Sequence, residues 1–370
     1  MLKPSKRKIN KVIIEIGHPN DVHQFKYLYS ELLNSGIDVL FLVKKKDIVI
    51  ELMDAYCLPY KVFAKTPSGF LRKVLSLPWF NFKYFLFARK FKPDIILSRN
   101  SPHSAHYAFF MGVSHFGFAD TENSGFADRL AVPFIKYFFT STSYLKSFPR
   151  YHFRYPGYIE TWYLHPKRYK PNPDVLKMLE VKEGEKYFIL RFVSWQAHHD
   201  RGLTGLTDEF KIRLVNLLQD YGKVFISSEK PLPTELERYR FSLPPQYMHD
   251  ALYYASLFYG ESATMASECA MLGTPAFFLD PRELGYIKEQ QEKYGLVNYY
   301  KTDLNSLNAS IEHIKKTFAL YSLSNHYKEK ALKMHNEIID PVSFFLWLVI
   351  EFPTSMEKII KNPEIIKSFK

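Results

Sequence analysis

The sequence predicts an α/β protein with two Rossmann-like domains that face a cleft. Apolar runs of strand length alternate with segments of helical periodicity along most of the chain, which is typical of parallel sheets with helices on both faces. At 370 residues the chain is longer than one hydrophobic core usually serves. Its middle is rich in Tyr, Pro and Arg and has few long apolar runs, as expected where two domains join.

These observations divide the chain into four parts. We predict a first Rossmann-like domain at 1–158, a linker at 159–173, a second Rossmann-like domain at 174–340 and a helical tail at 341–370. The tail is expected to return to the first domain and pack on it.

In the first domain, polar residues follow two predicted strands at their carboxyl ends. The first strand, Lys11–Ile16, runs into Gly17 and His18, and a later strand runs into Asp120 and Glu122. Parallel α/β sheets bind ligands at these ends, and of two carboxylates one can take a proton while the other orients it. The alternative is that the carboxylates cap the helix that follows.

The stretch at 257–280, LFYGESATMASECAMLGTPAFFLD, organises the second domain. It predicts a strand, a turn at Gly260, a slim helix of small residues and a second strand. Glu261, Ser262 and Thr264 open the helix, and a helix N-terminus with unpaired N–H groups attracts phosphate. The alternative is that this strand, turn and helix bind nothing, as in many α/β proteins.

A carboxylate further along this helix extends the candidate site. Glu268 lies four residues after Thr264, so it returns to the same face one turn along. A carboxylate at this position can accept hydrogen bonds from both hydroxyls of a ribose. Phosphate at the start of the helix and a diol one turn in would together make a nucleotide site.

A loop rich in hydrogen-bond donors follows the predicted strand Tyr187–Phe192. It contains His198, His199 and Arg201. Because the loop leaves the carboxyl end of its strand, these side chains are expected to lie near the ligand.

The formal net charge of +12 and an aromatic content of 17% restrict the partners. Nucleic acid, an anionic membrane face and phosphorylated substrates would each suit a basic protein, but no nucleic-acid-binding motif is present. Basic and aromatic residues interleave at 69–92, which predicts either a helix in the interface of an anionic bilayer or a core helix with solvated charges. No apolar run reaches the length of a membrane crossing.

The remaining composition predicts a cytoplasmic protein without a metal. The N-terminus lacks the apolar region of a secretory signal, and Cys57 and Cys269 lack metal-ligand spacing. His103 and His106 share a predicted helix while His115 lies on a strand. With no neighbouring carboxylate pattern, these histidines do not predict a metal site.

Three stretches, in their order and spacing, resemble one family over nearly the whole chain. They are IEIGHPNDVHQFK near the start, FKPDIILSRNSPHSAHYAFFMGVSHFGFADTE in the middle and MHDALYYASLFYGESATMASECAMLGTP in the second half. The chain resembles the prokaryotic family catalogued as domain of unknown function 354, which is similar to nucleotide-sugar glycosyltransferases and to non-hydrolysing UDP-N-acetylglucosamine 2-epimerases. The resemblance implies the GT-B fold, with the acceptor on the first domain and the nucleotide sugar on the second.

The resemblance also implies roles for individual residues of the second domain. Gly260, Glu261, Ser262 and Thr264 look like a diphosphate-binding turn, and Glu268 looks like the carboxylate that holds the ribose.

The match to the epimerases is less close in three other places. Glu122 falls where the epimerases carry an acidic residue, but the sequence around it departs from their His-Val-Glu-Ala-Gly pattern. His198 or His199 resembles the histidine of their Gly-His-Arg-like loop in a different context, and the opening GHPND departs from their Gly-Thr-Arg-Pro-Glu. These departures favour sugar transfer over epimerisation.

The expected activity is therefore transfer of a sugar from a UDP-type donor to a glycan or lipid-linked acceptor in surface-polysaccharide or glycolipid synthesis, without a cofactor. Glu122 or His18 would deprotonate the acceptor hydroxyl, while the donor-rich loop would stabilise the leaving diphosphate. One alternative is an epimerase with Glu122 and Asp120 as acid and base, and another is an inactive nucleotide-sugar-binding protein. A lipid-linked acceptor would place the protein at the inner face of the membrane.

Overall fold

The structure is a computed structural model that describes residues 8–46, 48–67, 69–122, 126–193, 205–318 and 323–370. It divides into two compact units, the first formed by residues 1–168 together with 338–370 and the second by residues 169–337. Each unit contains one parallel β-sheet, so the predicted fold class is confirmed. The first unit ends inside the predicted linker at 159–173, and the returning tail begins at residue 338 rather than 341.

The first unit is built on a seven-stranded sheet. Its strands are β1 (Lys11–Ile16), β2 (Asp38–Lys45), β3 (Tyr60–Lys65), β4 (Ile95–Ser98), β5 (Ser114–Ala119), β6 (Tyr137–Ser141) and β7 (Tyr151–Tyr155). Its helices before the chain leaves the unit are α1 (Pro19–Asn34), α2 (Val49–Ala55), α3 (Phe70–Phe91), α4 (Pro102–Met111), α5 (Phe126–Ala131) and α6 (Thr161–Leu164). The strand order β3-β2-β1-β4-β5-β6-β7 reverses between β1 and β4.

Burial explains why β1 and α1 form where they do. All but the first residue of β1 are buried, as in a parallel strand covered by helices on both faces. The α1 helix buries Val22, Phe25 and Leu28 completely, and their spacing matches one helical face. The helix begins at Pro19, because His18 and the first turn form a capping box.

The second unit is built on a five-stranded sheet. Its strands are β8 (Tyr187–Phe192), β9 (Lys223–Ser228), β10 (Leu257–Gly260), β11 (Ala276–Leu279) and β12 (Val297–Tyr300). Its helices are α7 (Asp174–Met178), α8 (Asp208–Gln219), α9 (Thr234–Glu237), α10 (Met248–Tyr254), α11 (Ala263–Leu272), α12 (Gly285–Glu292), α13 (Leu304–Phe318) and α14 (Leu323–Glu337). The strand order β12-β11-β10-β8-β9 reverses between β8 and β10.

The chain then returns to the first unit through α15 (Pro341–Ile350) and α16 (Thr354–Lys361). The Phe345 ring stacks on Trp162 with 4.7 Å between ring centroids. Asp340 is buried and caps α15 by accepting a hydrogen bond from the Val342 N–H at 3.0 Å. The same carboxylate accepts from Arg168 Nη2 at 2.8 Å, so a buried ion pair and an aromatic stack hold the returning segment. Trp162 lies in the predicted linker, and its burial makes that stretch part of the core.

Within the described ranges, no single helix is long and apolar enough to cross a membrane. The segments at 325–350 and 354–361 pass that test of length and composition only as a pair, and they are bent by 119°. Most of α15, which lies in the first of these segments, is buried.

Replacement of Asp340 by alanine should destabilise the first unit. Asp340→Ala removes a helix cap and leaves the largely buried Arg168 guanidinium without one of its carboxylates, which typically costs about 3 kcal/mol. Tryptophan fluorescence during urea unfolding, which includes the signal of the buried Trp162, should report a lower midpoint.

The matched control is Glu364→Ala, which removes an exposed pair with Lys367 in the same tail. We expect this change to stay within about 0.5 kcal/mol of wild type. Equal midpoints for Asp340→Ala and wild type would contradict the assigned role of the pair.

Candidate active site

In both units, polar side chains collect at the carboxyl ends of the strands on either side of the chain reversal. In the first unit the loops after β1, β4 and β5 contribute them, and in the second unit the segments after β8 and β10. Ligands of open parallel sheets bind at such reversals, because the connections from the two strands leave a crevice there. Each unit therefore has one candidate site at a position that the topology favours.

In the first unit, Arg99 lies between two carboxylates. Its Nη1 is 3.3 Å from Asp21 Oδ1, and its Nη2 contacts Asp120 Oδ2. Asp21 Oδ2 in turn accepts hydrogen bonds from the backbone N–H groups of Gly17 and His18, each at 2.8 Å. Burial disfavours the charge of Arg99, but the two carboxylates outweigh it and raise its pKa above the ordinary value. This network brings Gly17, His18 and Asp120 together. Sequence reasoning missed Arg99, although it directly follows a buried strand.

The His18 ring has a defined tautomer when neutral. Its Nδ1 accepts a hydrogen bond from the Asn20 N–H at 3.3 Å, so the ring proton is on Nε2. The surrounding protein lowers the pKa of His18 to about 4, yet the side chain keeps an exposed edge that water can solvate. The hydrogen bond is therefore the stronger evidence for the neutral ring, which presents an N–H donor to solvent.

The predicted carboxylate Glu122 is held by the segment after β6. Its Oε1 accepts a hydrogen bond from the Leu145 N–H at 3.0 Å, and its carbonyl oxygen contacts Lys146 Nζ. The neighbouring Tyr144 is buried, and burial together with the Asp128 and Glu122 carboxylates raises the pKa of Tyr144. The Tyr144 hydroxyl has no hydrogen-bond partner in the part of the chain that the structure describes.

A second polar side chain near this strand end was also missed by sequence reasoning. Asn100 has a φ of 42°, in the left-handed region that Asn tolerates better than most residues. Its Nδ2 donates to Asp128 Oδ1 at 3.3 Å, while its buried Oδ1 finds no donor among the described residues. The Tyr144 hydroxyl and the Asn100 Oδ1 are therefore two buried polar atoms without a partner among the described residues.

A buried carboxyl beneath this site positions the start of α4. Glu15 on β1 accepts hydrogen bonds from Ser101 Oγ at 2.5 Å and from Ser104 Oγ, and Ser101 caps α4 by accepting from the His103 N–H at 3.2 Å. Burial raises the pKa of Glu15 to about 7, although both serine hydrogen bonds lower it. The sequence signal was a single acidic residue inside an apolar strand.

In the second unit, Gly260 is the last residue of β10 rather than part of a turn. A Cβ atom at this position would lie 2.5 Å from the carbonyl oxygen of Arg191 on the neighbouring strand β8. The predicted turn is therefore wrong, and glycine is required here because the two strands approach closely.

The amino end of α11 is open among the described residues. Ser262 caps the helix, because its Oγ accepts a hydrogen bond from the Met265 N–H at 3.3 Å. The described residues offer no acceptor to the N–H groups of Ala263 and Thr264. The residues of this turn are also partly exposed, and phosphate binding at this helix start stays a prediction.

The other predicted carboxylates of this unit are buried and contact the protein. Glu261 accepts hydrogen bonds from the backbone N–H groups of Val193 at 3.0 Å and Leu206 at 2.9 Å. Glu268 Oε1 lies 3.0 Å from Nε2 of His249 on α10. Contact of these carboxylates with diphosphate or ribose stays a prediction. His249 was missed because its pairing depends on how α10 packs against α11.

The predicted donors His198, His199 and Arg201 lie outside the described residues. Within the described ranges, no group of three or more His, Cys, Asp or Glu side chains is arranged to hold a metal ion.

The raised pKa of Glu15 should be visible in the pH dependence of the protein's stability. Its pKa of about 7 in the folded protein is above its ordinary value of 4.5, so the folded state binds the proton more tightly and stability falls as pH rises between these values. Glu15→Gln removes this titration, so its stability relative to wild type should increase by about 3 kcal/mol between about pH 4 and pH 8. Urea unfolding across this range measures the difference.

Glu51→Gln, which alters an exposed carboxyl on α2, is the control. It should not reproduce the gain in stability that Glu15→Gln shows as pH rises. A constant difference for Glu15→Gln would show that the buried carboxyl does not titrate as described.

Known structures resemble this chain over nearly its full length. S. aureus MnaA, solved with UDP, matches with a TM-score of 0.62 and 12% identity over 98% of both chains. The UDP-GlcNAc 2-epimerase from Neisseria meningitidis bound to UDP-GlcNAc matches with a TM-score of 0.58 and 14% identity, over 95% of this chain and 100% of that one.

A glycosyltransferase is similar to a comparable degree. The spinosyn rhamnosyltransferase SpnG, complexed with thymidine diphosphate, matches with a TM-score of 0.61 and 10% identity, over 91% of this chain and 99% of that one. Structural matches at such low identity show the fold alone, and these matches confirm the predicted GT-B fold. No curated protein sequence matches the chain. Because one family matches residues 10–352, the protein belongs to the family described as Protein of unknown function (DUF354).

Proposed function

We propose that the protein is a glycosyltransferase that moves a sugar from a UDP-type nucleotide donor to an acceptor hydroxyl, without a metal, in the synthesis of a surface polysaccharide or glycolipid. The observation that supports this proposal most is the open first turn of α11 at the chain reversal of the second sheet. Its unpaired N–H groups and the positive end of the helix dipole favour a diphosphate. The similar solved structures with UDP and thymidine diphosphate agree with this choice of ligand.

The first unit would supply the acceptor side of the reaction. The acceptor oxygen forms a bond to the anomeric carbon, the bond from that carbon to the diphosphate oxygen breaks, and the diphosphate leaves with the electron pair. We assign the acceptor proton to Glu122, because the Asp120 carboxylate is already paired with Arg99. Neutral His18, which carries its proton on Nε2, would donate a hydrogen bond rather than act as the base.

The second unit would hold the donor. The first turn of α11 would stabilise the charge that develops on the leaving diphosphate, and the basic residues His198, His199 and Arg201 would assist. Glu268 would accept the ribose hydroxyls, and its contact with His249 Nε2 would fix the orientation of the carboxylate.

A carboxylate introduced at the start of α11 should weaken nucleotide binding and leave folding intact. Thr264→Glu places a negative charge in the first turn of α11, where the helix dipole tolerates it but a diphosphate is repelled. We expect UDP affinity to fall at least about tenfold, with little loss of stability. Thermal shifts of the full-length protein with UDP, GDP, CMP and TDP measure both quantities, since a ligand of the folded state raises stability.

The matched control is Asn305→Glu, which adds the same charge to the exposed first turn of α13 in the same unit. It should leave nucleotide binding unchanged. The proposal would be overturned if no nucleotide stabilised the wild type, or if Thr264→Glu bound UDP as well as wild type does.

Removal of the proposed base should slow transfer without weakening donor binding. Glu122→Gln keeps an oxygen for the Leu145 N–H but cannot take a proton, so transfer should slow by about 10²–10⁴-fold. The assay incubates the protein with radiolabelled nucleotide sugars and a membrane extract that contains acceptors. Equal rates for variant and wild type would contradict the assignment of Glu122.

Epimerisation of the nucleotide sugar is a second candidate. It is favoured by the two carboxylates Asp120 and Glu122 after β5 and by the similar UDP-GlcNAc 2-epimerase structure. The same incubation in deuterated water without acceptor distinguishes the two, because an epimerase would carry deuterium into the sugar. Nucleotide binding without either reaction, and no effect of Glu122→Gln, would indicate an inactive binding protein.

A further inference from the structure

The α3 helix exposes five large apolar side chains along one face. They are Leu71, Leu75, Trp79, Phe82 and Leu86, with exposed fractions of 74%, 78%, 56%, 51% and 52%. We call these five residues the α3 strip. Their spacing of three or four residues places them on one side of the helix. Single exposed apolar residues are ordinary on protein surfaces, but a continuous row of five marks an interaction site.

The opposite face of α3 already anchors the helix to the first unit. Tyr84 and Ala88 are fully buried, and the Tyr84 hydroxyl is 3.0 Å from Ser104 Oγ on α4. Asn81 contacts His103 Nδ1 at 2.6 Å. The helix therefore does not need the α3 strip for its own packing, and the strip is available to a partner.

The charges beside the α3 strip are all of one sign. Arg72, Lys83, Arg89 and Lys90 lie on the same helix, which contains no acidic residue. Lys83 Nζ lies 5.2 Å from the centroid of the Trp79 ring, so a cation and an aromatic ring of the strip adjoin each other. A helix with apolar and aromatic residues flanked by Lys and Arg is typical of the interface of an anionic bilayer.

A second helix, which packs on α3, also exposes apolar side chains. The α4 helix packs on α3, with 5.6 Å between the ring centroids of Tyr107 and Phe85. Its last turn exposes Phe109, Phe110 and Met111, with exposed fractions of 51%, 73% and 45%. Sequence reasoning limited the basic aromatic region to residues 69–92 and missed this turn.

We propose that the α3 strip and the last turn of α4 dock the protein on the surface of an anionic lipid bilayer. A bilayer offers apolar depth to the exposed side chains and negative headgroups to the flanking cations. A second copy of the chain would instead bring the same basic face, so the two would repel each other. The helix lies along the surface with its buried face in the protein, and the inference does not depend on the proposed sugar transfer.

Vesicle sedimentation of the full-length protein tests this surface. Vesicles of phosphatidylcholine alone are compared with vesicles that also contain phosphatidylglycerol, each at low and high salt. We expect binding to the anionic vesicles, weakened by salt, and little binding to the neutral ones. The emission of Trp79 should shift to shorter wavelength as its ring leaves water.

Two pairs of variants separate the apolar and the charged contributions. Trp79→Ser combined with Phe82→Ser should reduce vesicle affinity at least about tenfold. Leu304→Ser, which changes a 68% exposed apolar site in the second unit, should leave the affinity unchanged. Lys90→Glu should weaken binding to anionic vesicles more than Lys361→Glu, which makes the same charge change on α16.

Three outcomes would overturn the proposal. The first is that wild type binds neither kind of vesicle. The second is that the strip variant binds as tightly as wild type. The third is that wild type is a dimer, the strip variant is a monomer and neither binds vesicles. This result would assign the α3 strip to contact with a second copy of the chain. The UDP affinity changes in none of these cases, so the test is separate from that of the proposed reaction.

Discussion

One guanidinium between two carboxylates connects the strand ends of the first unit. Arg99 follows β4, while Asp21 lies in the first turn after β1 and Asp120 follows β5. Where the strand order reverses, the connections from neighbouring strands leave toward opposite faces of the sheet. In the first unit, Arg99 and its two carboxylates link the loops beyond these strand ends. The positions of His18 and Glu122 relative to any ligand depend on this link.

In the second unit, the side chain that links the strand ends is a carboxylate instead of a guanidinium. The carboxylate of Glu261, directly after β10, accepts backbone N–H groups from Val193 and Leu206. Val193 directly follows β8, so the carboxylate connects the ends of the two strands that flank the reversal. In both units, one charged side chain near the expected ligand site has the structural role of linking strand ends. Among the described residues of the second unit, the unpaired N–H groups of the α11 first turn are available to a ligand.

Sequence patterns predicted the elements well and the contacts between them poorly. The order of strands and helices follows from local apolar periodicity, and Gly273 ends α11 in the left-handed conformation that glycine adopts readily. The role of Gly260 was predicted wrongly, because the constraint comes from Arg191 on a strand far away in the sequence. Pairs such as Glu268 with His249 depend on helix packing, which no local pattern contains. The composition of α3 was visible in the sequence, but only packing shows which of its apolar residues face outward.

The first unit is discontinuous in sequence, and this has a consequence for biosynthesis. Its last two helices come from residues 338–370. The Phe345 ring on α15 stacks on Trp162 and contributes to the burial of that side chain. On the ribosome the first sheet is made before these helices exist, so its aromatic core cannot close until residues 338–370 have been made. The second unit is one uninterrupted segment and can finish folding earlier. A truncated nascent chain would therefore expose Trp162 and its neighbours to chaperones and proteases even though every strand of both sheets had been synthesised.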